Sequence, residues 1–280
     1  MKLKEYPLSV INFLKLNFIV RPNHVVRPAP CIVSLTSIDS RIKTLHFTIK
    51  SLLAQTYPPK KIILWLHHDL ENQLPKNLLR LEGDNFQIRF RSQFSSHRKL
   101  VFSLQEFSDE IIVTCDDDVM YDKNWLKSLY ESHLKFPSDV IAQECREISV
   151  NKGKLLPYAD WPYNESENIT LPNLLPIGYG GVLYPADAMH ADTIKEELYM
   201  QLAPKADDLW FKAMSLMNGV KVRRPLNPVK KPIPIIGVKG NSLAKSNIIE
   251  DGNRKQWKAI CNHYNLNHDC SISFDYQNKT

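Results

Sequence analysis

Three continuous apolar runs alternate with helical patterns in the first half of the chain, and this alternation constrains the fold more than any other feature. The runs are "PCIVSLTSI" (30–38), "KIILWLHH" (61–68) and "EIIVTC" (110–115). The segment 41–56, between the first two, has apolar residues at helical spacing. Strands that are apolar on both faces are typical of parallel sheets covered by helices on each side. The sequence therefore predicts an α/β fold with a mostly parallel central sheet.

The length and composition fit one main domain with two extensions. With 280 residues and 43% apolar content, the chain can bury one sizeable core. We expect an amphipathic N-terminal extension at 1–28 and a main domain at 29–220, divided into halves at 29–140 and 141–220. The remainder, 221–280, begins with a basic, proline-rich stretch and is expected to pack on the same domain as a C-terminal extension.

The formal net charge of +6 is concentrated in two segments. Residues 1–28 carry five basic side chains against one acid, and residues 221–245 carry seven with no acid. Such patches are most often solvated surfaces, but they also attract phosphates and anionic membranes. Because no nucleic-acid-binding motif accompanies them, no nucleic-acid partner is predicted.

The apolar stretch 7–20 is too short and too polar to span a bilayer, and it lacks the small-residue cleavage site of a signal peptide. Five scattered cysteines are typical of a reducing compartment. We therefore expect a cytoplasmic protein, with peripheral contact to the inner face of the cytoplasmic membrane as an interpretation of its basic segments. The spacing of Cys261, His263, His268 and Cys270 differs from that of zinc sites and favours an unrelated polar loop.

Polar residues follow each apolar run at the point where the predicted strand ends. Thr36 and Ser37 lie at the end of the first run, Asp69 follows the second and Asp116–Asp118 follow the third. The carboxyl ends of parallel strands share one edge of the sheet, where ligands bind. Three adjacent carboxylates repel one another unless a cation or water relieves the repulsion. Because oxygen ligands suit Mg²⁺ or Mn²⁺, the cluster predicts a metal or nucleotide site, with capping of the next helix as the alternative.

A second acidic pair and a glycine-rich segment lie further along the chain. Asp207 and Asp208, in "ADDLWF", stand at the start of a helical pattern. They either cap that helix or provide a general base, since a hydroxyl group is a poor nucleophile until its proton is removed. The glycines of "GYGGVLYP" (178–185) either let the backbone approach a ligand or form a plain turn.

Taken in order, four stretches of the chain resemble the GT-A-fold glycosyltransferases of the family 2 kind, which build lipopolysaccharide or capsule glycans in bacteria. The stretches are "CIVSLTSIDSRIKTLHFTIKSLLAQT" with "KIILWL", then "HRKL", then "IIVTCDDDVM", and then "GYGGVLYP" with "ADDLWF". Together they cover roughly residues 30–220. The resemblance implies a GT-A fold, with 29–140 as the nucleotide-binding half and 141–220 as the acceptor half.

The resemblance also implies roles for individual residues. Asp116–Asp118 would be the DXD motif, in which Asp118 and Asp116 bind Mn²⁺ or Mg²⁺, and Asp208, beside Asp207, would be the catalytic base. The implied donor-binding residues are Thr36, Ser37, Arg41, Asp69, Lys99, Asp116 and Asp117. The implied residues of the sugar and acceptor pocket are Trp161, Tyr179, Gly180, Gly181 and Trp210.

The implied reaction moves a hexose or N-acetylhexosamine from a nucleotide sugar, most often a UDP-sugar, to a hydroxyl of a glycan or lipid-linked acceptor. A metal ion on the diphosphate stabilises the charge of the leaving nucleotide. The Gln-x-x-Arg-Trp motif of processive synthases is missing, so we expect transfer of one or a few sugars. Asp208 as base implies inversion, whereas His263 or His268 as a further metal ligand would be typical of retaining relatives.

Three other functions explain part of the pattern. A nucleotidyltransferase would have a glycine-rich basic loop after the first strand, and "LTSIDSR" has no glycine. A haloacid-dehalogenase-type phosphatase has its nucleophilic aspartate after the first strand of the fold, whereas Asp116 follows the third predicted strand. A non-catalytic carbohydrate-binding protein would explain the three adjacent aspartates but not Asp207 and Asp208.

Overall fold

The computed structural model of the protein describes residues 28–235, 247 and 250–271. The predicted amphipathic extension therefore lies outside the described residues, apart from residue 28. The strands are β1 Ala29–Thr36, β2 Pro59–His67, β3 Phe86–Arg91, β4 Ile111–Thr114, β5 Val119–Met120, β6 Val140–Ala142, β7 Cys145–Glu147, β8 Val150–Asn151, β9 Lys154–Leu155, β10 Tyr163–Asn164, β11 Leu174–Pro176, β12 Val182–Tyr184, β13 Val222–Arg223 and β14 Ile233–Pro234. The α-helices are α1 Leu45–Leu53, α2 Lys76–Leu79, α3 Arg98–Glu106, α4 Trp125–Lys135, α5 Glu196–Leu202, α6 Asp207–Met217 and α7 Gly252–Tyr264.

Seven strands form the central sheet, in the order β13-β6-β12-β4-β1-β2-β3. β12 runs antiparallel to both of its neighbours, and the other adjacent pairs are parallel. The three apolar runs form β1, β2 and β4, each of which has a strand on both sides. The mixed α/β fold with a mostly parallel central sheet is therefore confirmed.

Helices cover both faces of the sheet, which explains why its central strands are apolar at successive positions. Along β1, Cys31, Val33 and Leu35 belong to a hydrophobic cluster with residues of α1 and α4. Ile32 belongs to a second cluster, with residues of α3, α6 and α7. Since alternate residues of a strand point to opposite faces, a strand buried on both faces needs apolar residues at every position.

The chain becomes less regular after residue 140, and one predicted strand is divided. The pattern at 140–150 predicts a single strand, but β6 lies in the central sheet and β7 lies in a separate sheet with β10 and β11. Between them, the Gln143 N–H donates to Gly181 O and Glu144 O accepts from the Ile177 N–H. The chain thus passes from one sheet to the other with its backbone groups paired, which the apolar pattern alone does not reveal.

The residues after 220 build onto the sheet and onto the segment that carries the acidic cluster. β13 is the edge strand beside β6, and β14 pairs with β5, which directly follows Asp118. α7 packs against α5 and α6. Within the described ranges, no helix combines the length and apolar character needed to cross a membrane.

Candidate active site

A cleft of about 610 Å³ opens at the edge of the sheet where β1 and β4 end. Its lining combines residues that follow these two strands with the first turns of α3 and α6. Asp116–Asp118 and the pair Asp207 and Asp208 therefore share one cleft, although about 90 positions separate them in the sequence. Thr36 and Ser37 line the same cleft, as their place after the first strand predicts.

Asp117, the middle residue of the acidic cluster, lines the cleft but is almost fully buried. Its buried carboxylate accepts hydrogen bonds from the Ser37 hydroxyl and, at 2.6 Å, from Arg41 Nη1. Arg41 Nη2 also lies 3.2 Å from Asp118 Oδ2. Burial raises the pKa of Asp117, while the Arg41 guanidinium opposes this effect. Its oxygens hold Ser37 and Arg41 in place, and direct binding of the donor by Asp117 stays a prediction.

Lys99 connects the two acidic groups of the cleft. It lies in the first turn of α3 with only 6% of its side chain exposed, and Nζ is 2.9 Å from Asp116 Oδ1 and 3.0 Å from Asp207 Oδ2. Burial opposes the charged form, but the carboxylates of Asp116, Asp207 and Asp208 raise the pKa of Lys99 well above its ordinary value. The lysine is therefore charged at neutral pH and is shared between the two acidic groups.

Asp207 and Asp208 open α6 but occupy different environments. Asp207 is buried and accepts from Ser96 Oγ at 2.8 Å; burial opposes its ionisation, but Lys99 lowers its pKa overall. Asp208 is half-buried and accepts from the Gly178 N–H at 3.0 and 3.1 Å. Burial, and then the charge of Asp207, raise the pKa of Asp208 to about 7. The pair thus consists of one permanent carboxylate and one that exchanges a proton near neutral pH.

The glycine-rich segment touches the cleft through its first two residues only. A Cβ on Gly178 would lie 2.7 Å from Lys99 Nζ and 2.8 Å from Asp208 Oδ1, so the absence of a side chain allows these groups to meet. Tyr179 lines the cleft and donates through its hydroxyl to Pro232 O at 2.9 Å.

Gly180 and Gly181 serve packing and are not among the residues that line the cleft, so their place in a sugar pocket stays a prediction. A Cβ on Gly180 would meet Glu144, and one on Gly181, where φ is 95°, would collide with the indole of Trp125. The indole N–H of Trp125 donates to Gly180 O at 2.8 Å. Both glycines are therefore required by close contacts on the side of the segment away from the cleft.

The two tryptophans assigned to the sugar and acceptor pocket belong to the hydrophobic core. Trp161 is 1% exposed and Trp210 is fully buried, and both lie in the cluster on the α6 face of the sheet. Their indole N–H groups donate to Leu156 O and Thr193 O, each at 3.1 Å. The prediction that they stack on a sugar is wrong, because neither ring has a face available to a ligand.

Asp69 follows β2 as predicted but lies outside the cleft. Its side chain is 72% exposed, and Oδ2 is 3.1 Å from Nδ1 of His67. The cleft is bordered on that side by Phe94, in the loop between β3 and α3. The structure therefore does not bring Asp69 together with the other predicted donor-binding residues.

The C-terminal cysteine and histidine pattern does not assemble a metal site. Cys261 and Cys270 are buried, and burial raises the pKa of both thiols, whereas His263 is exposed. His268 is half-buried, and its backbone oxygen accepts from the Trp257 indole at 3.1 Å. Neither histidine lines the cleft, so the structure does not support either one as a further metal ligand there.

Comparison with known proteins decides the family. Residues 39–183, just over half of the chain, match the model of the family described as Glycosyl transferase family 2. The chain belongs to this family. A search of the curated proteins found no match. The match confirms the resemblance to the family 2 kind, while the chain spans 59% of the length of the TarS structure compared below. The match includes the acidic cluster and the glycine-rich segment, while Asp207 and Asp208 lie beyond its end.

Solved structures also align with this family 2 member, at low similarity. S. aureus TarS 1–349 in complex with UDP is 15% identical with a TM-score of 0.48, and the alignment covers 73% of this chain and 59% of that one. A second structure of S. aureus TarS 1–349 is 14% identical with a TM-score of 0.46, and the alignment covers 89% of this chain and 77% of that one. A 4-diphosphocytidyl-2C-methyl-D-erythritol synthase from Anaerococcus prevotii is 13% identical, with a TM-score of 0.45 and coverage of 81% and 95%.

The residues that would hold a divalent metal fit this role as a pair. Asp116 and Asp118 have 31% and 28% of their side chains exposed on the cleft. Burial raises the pKa of Asp118 to about 6, and the charges of Asp116 and Asp117 add to this effect, while Arg41 opposes it. A cation bound nearby would lower this pKa again. Among the described residues, no group of three or more His, Cys, Asp or Glu is placed to hold a metal ion. Two carboxylates suit Mg²⁺ or Mn²⁺ only when water and substrate phosphates supply the other ligands.

Several residues of the cleft carry no sequence motif and escaped prediction. Ser96 lies three residues before Lys99, and Tyr158 lies in the irregular segment 151–176. Asn247 and Asn253 reach the cleft from the C-terminal part of the chain. The aromatic and proline content of 151–176 is typical of a functional loop and could have indicated Tyr158. Isolated asparagines carry no pattern that predicts a place in the cleft.

Proposed function

We propose that this glycosyltransferase moves a hexose or N-acetylhexosamine from a UDP-sugar to a hydroxyl of a glycan or glycolipid acceptor. The observation that carries the proposal is the position of Lys99, whose ammonium contacts both Asp116 and Asp207. Because of these contacts, the acidic cluster, which suits a metal and a diphosphate, lies near Asp208, a carboxylate suited to proton transfer. A donor bound at the acidic cluster would present its sugar to Asp208.

Asp208 is the proposed general base of an inverting displacement. The oxygen of the acceptor hydroxyl bonds to the anomeric carbon as the bond from that carbon to the diphosphate oxygen breaks, and the hydroxyl proton passes to Asp208. A pKa of about 7 makes Asp208 a stronger base than an ordinary carboxylate while leaving it largely ionised above neutral pH. The two hydrogen bonds from the Gly178 N–H keep its oxygens in one orientation.

On the donor side, Thr36, Ser37 and Arg41 are proposed to surround the nucleoside and diphosphate. Arg41 has five donors and uses two of its nitrogens on Asp117 and Asp118, which fixes its guanidinium at the cleft. Asp117 is proposed as a positioning residue, because its contacts orient Ser37 and Arg41. Lys99 adds a second positive charge near the phosphates.

Asp118 and Asp116 are the residues proposed to hold Mn²⁺ or Mg²⁺. When bound, the ion would act as a Lewis acid on the diphosphate leaving group. Arg41 contacts Asp118 and Lys99 contacts Asp116, so each proposed ligand is held by a cationic side chain. These pairs limit the mutual repulsion of the carboxylates.

The proposed setting is the bacterial cytoplasm, in the synthesis of a lipopolysaccharide or capsule glycan, with peripheral contact to an anionic membrane. Of the five basic side chains at 221–235, Arg223 pairs with Asp139 at 2.6 Å and Arg224 is buried. The membrane contact therefore depends on the remaining lysines of this stretch and on the basic residues of 1–27. Sedimentation with anionic vesicles at low salt tests it, and a protein that stays in the supernatant contradicts it.

The reaction itself is tested by measuring UDP release from a panel of UDP-sugars with Mn²⁺. We expect turnover by the wild type and a loss of about 100-fold or more in Asp118→Ala, because the metal and diphosphate lose a ligand. Asp109→Ala is the matched control, since Asp109 is exposed at the opposite end of β4 and should not affect turnover. Hydrolysis of simple phosphomonoesters without sugar-nucleotide turnover would overturn the proposal.

A further inference from the structure

One wall of the cleft is made of uncharged polar side chains that the proposed reaction does not yet use. It consists of Tyr158, Asn247 and Asn253, here called the amide wall. All three line the same cleft as Asp208 and are less than a tenth exposed. The Asp208 carboxylate lies close enough for its charge, after burial, to raise the pKa of Tyr158. The amide wall is thus adjacent to the proposed base.

Separate parts of the chain hold the amide wall in position. The backbone N–H of Tyr158 donates to Asp251 Oδ1 at 2.9 Å, which joins the segment 158–160 to the start of α7. Asn247 Nδ2 donates to Lys205 O at 2.6 Å, in the turn before α6. Asn253 lies in the first turn of α7, two residues after the Asp251 that holds Tyr158. The wall is therefore built by tertiary contacts and not by one flexible loop.

Two buried oxygen atoms of the amide wall have no hydrogen-bond partner within the described residues. They are Oδ1 of Asn247 and Oδ1 of Asn253. In Asn247 the amide nitrogen has the partner described above, so the orientation of that amide leaves its oxygen as the free acceptor. A buried acceptor without a donor is unfavourable, and a ligand that supplies the donor gains the corresponding affinity.

The chemistry of these oxygens selects the class of ligand. A carbonyl oxygen only accepts, so its partner must carry a proton, as a sugar hydroxyl does. An ionised phosphate or carboxylate oxygen offers no proton and therefore cannot satisfy these two acceptors. We propose that the amide wall is the acceptor subsite and binds an uncharged sugar, whose hydroxyls donate to Asn247 and Asn253 while a neighbouring hydroxyl faces Asp208. This inference rests on the proposed glycosyl transfer.

The subsite replaces the aromatic pocket predicted from the sequence. Trp161 packs behind Tyr158, with ring centroids 5.0 Å apart, and so supports the wall without touching the ligand. Specificity at the acceptor would come from hydroxyl groups that match the two amides, because a buried polar group left unpaired discriminates strongly against the wrong ligand.

The test is ligand-observed NMR on the full chain in the presence of UDP and Mg²⁺, which is diamagnetic and leaves the ligand signals sharp. The probes are methyl glycosides of glucose, galactose and N-acetylglucosamine, compared with methyl galacturonide and glucose 6-phosphate. We expect at least one neutral glycoside to bind and Asn253→Ala and Asn247→Ala each to weaken it about tenfold, as the loss of one hydrogen bond implies. Tyr158→Phe, which removes one oxygen atom, should weaken it by a smaller factor. Asn262→Ala, exposed on the same helix α7, is the matched control.

The outcomes separate the subsite from the reaction. If no neutral glycoside binds, if the anionic probes bind as well, or if folded asparagine variants bind like the wild type, the subsite is overturned. UDP binding in the same samples and donor hydrolysis without acceptor test the proposed function independently. If neutral-glycoside binding depends on Asn253 but no UDP-sugar is hydrolysed, the subsite is supported and only the proposed function is overturned.

Discussion

Lys99 and Asp207 form a buried ion pair, 3.0 Å from Nζ to Oδ2, that links the first turn of α3 to the first turn of α6. The same ammonium contacts Asp116 at 2.9 Å. Three elements that are distant in the sequence thus meet at one nitrogen atom. The pair contributes to the fold as well as to the site, because removing either partner leaves a buried charge without compensation.

Lys99→Met should lower the free energy of unfolding by about 3–5 kcal/mol, since Asp116 and Asp207 lose their shared cation. Urea unfolding monitored by circular dichroism measures the change. The control is Lys127→Met, whose partner Glu131 is half exposed, as is Lys127 itself. That exposed pair should contribute about 0.5 kcal/mol or less. Equal losses in the two variants would contradict a stabilising role for the buried pair.

Asp208→Asn should abolish transfer while leaving the donor site intact. We expect kcat for transfer to fall by about 10²–10⁴, the usual contribution of a general base, and UDP affinity to stay within about twofold. In the wild type, kcat/KM should rise with pH and level off above about 7, where Asp208 is ionised. A variant that keeps full transfer would show that Asp208 only caps α6.

Asp208→Asn should also stabilise the metal-free protein at alkaline pH. Burial and the charge of Asp207 raise the pKa of Asp208 from 3.8 to about 7, so the folded state binds this proton more tightly than the unfolded chain. Stability is therefore lost as pH rises from about 4 to about 7, and the penalty is fully present above 7. We expect the variant to gain about 1–3 kcal/mol at pH 8 and roughly half as much at pH 5.5. Urea unfolding in EDTA at both pH values measures this, and a gain independent of pH would contradict it.

Gly181→Ala should be strongly destabilising because of its conformation and its neighbour. Its φ is 95°, and a Cβ would collide with the Trp125 indole. We expect a loss of about 2–5 kcal/mol, combining the backbone strain with overpacking. Gly153→Ala is the matched control, since φ is 74° there but the space around it is open. Its expected loss is about 1–2 kcal/mol, from the backbone alone. Thermal unfolding of both variants tests whether the indole contact accounts for the difference.

The sequence by itself determined the sheet and the edge at which the cleft lies. The apolar runs of β1, β2 and β4 are local patterns, and a strand apolar on both sides has few alternatives to the centre of a covered parallel sheet. The position of Asp116–Asp118 behind β4 followed from the same patterns. These inferences held because they depend on a few neighbouring residues and on rules that apply to every parallel sheet.

Only the tertiary structure decided what the individual side chains do. Asp117 resembles its neighbours in sequence but is almost fully buried and bonded to Ser37 and Arg41, and Trp210 resembles a sugar platform but lies in the core. Asn253 has no motif yet reaches the cleft. In each instance the environment is set by contacts between segments far apart in the chain, which a local pattern does not contain. Burial, partners and pKa are properties of those contacts, and they exist only once the chain has packed.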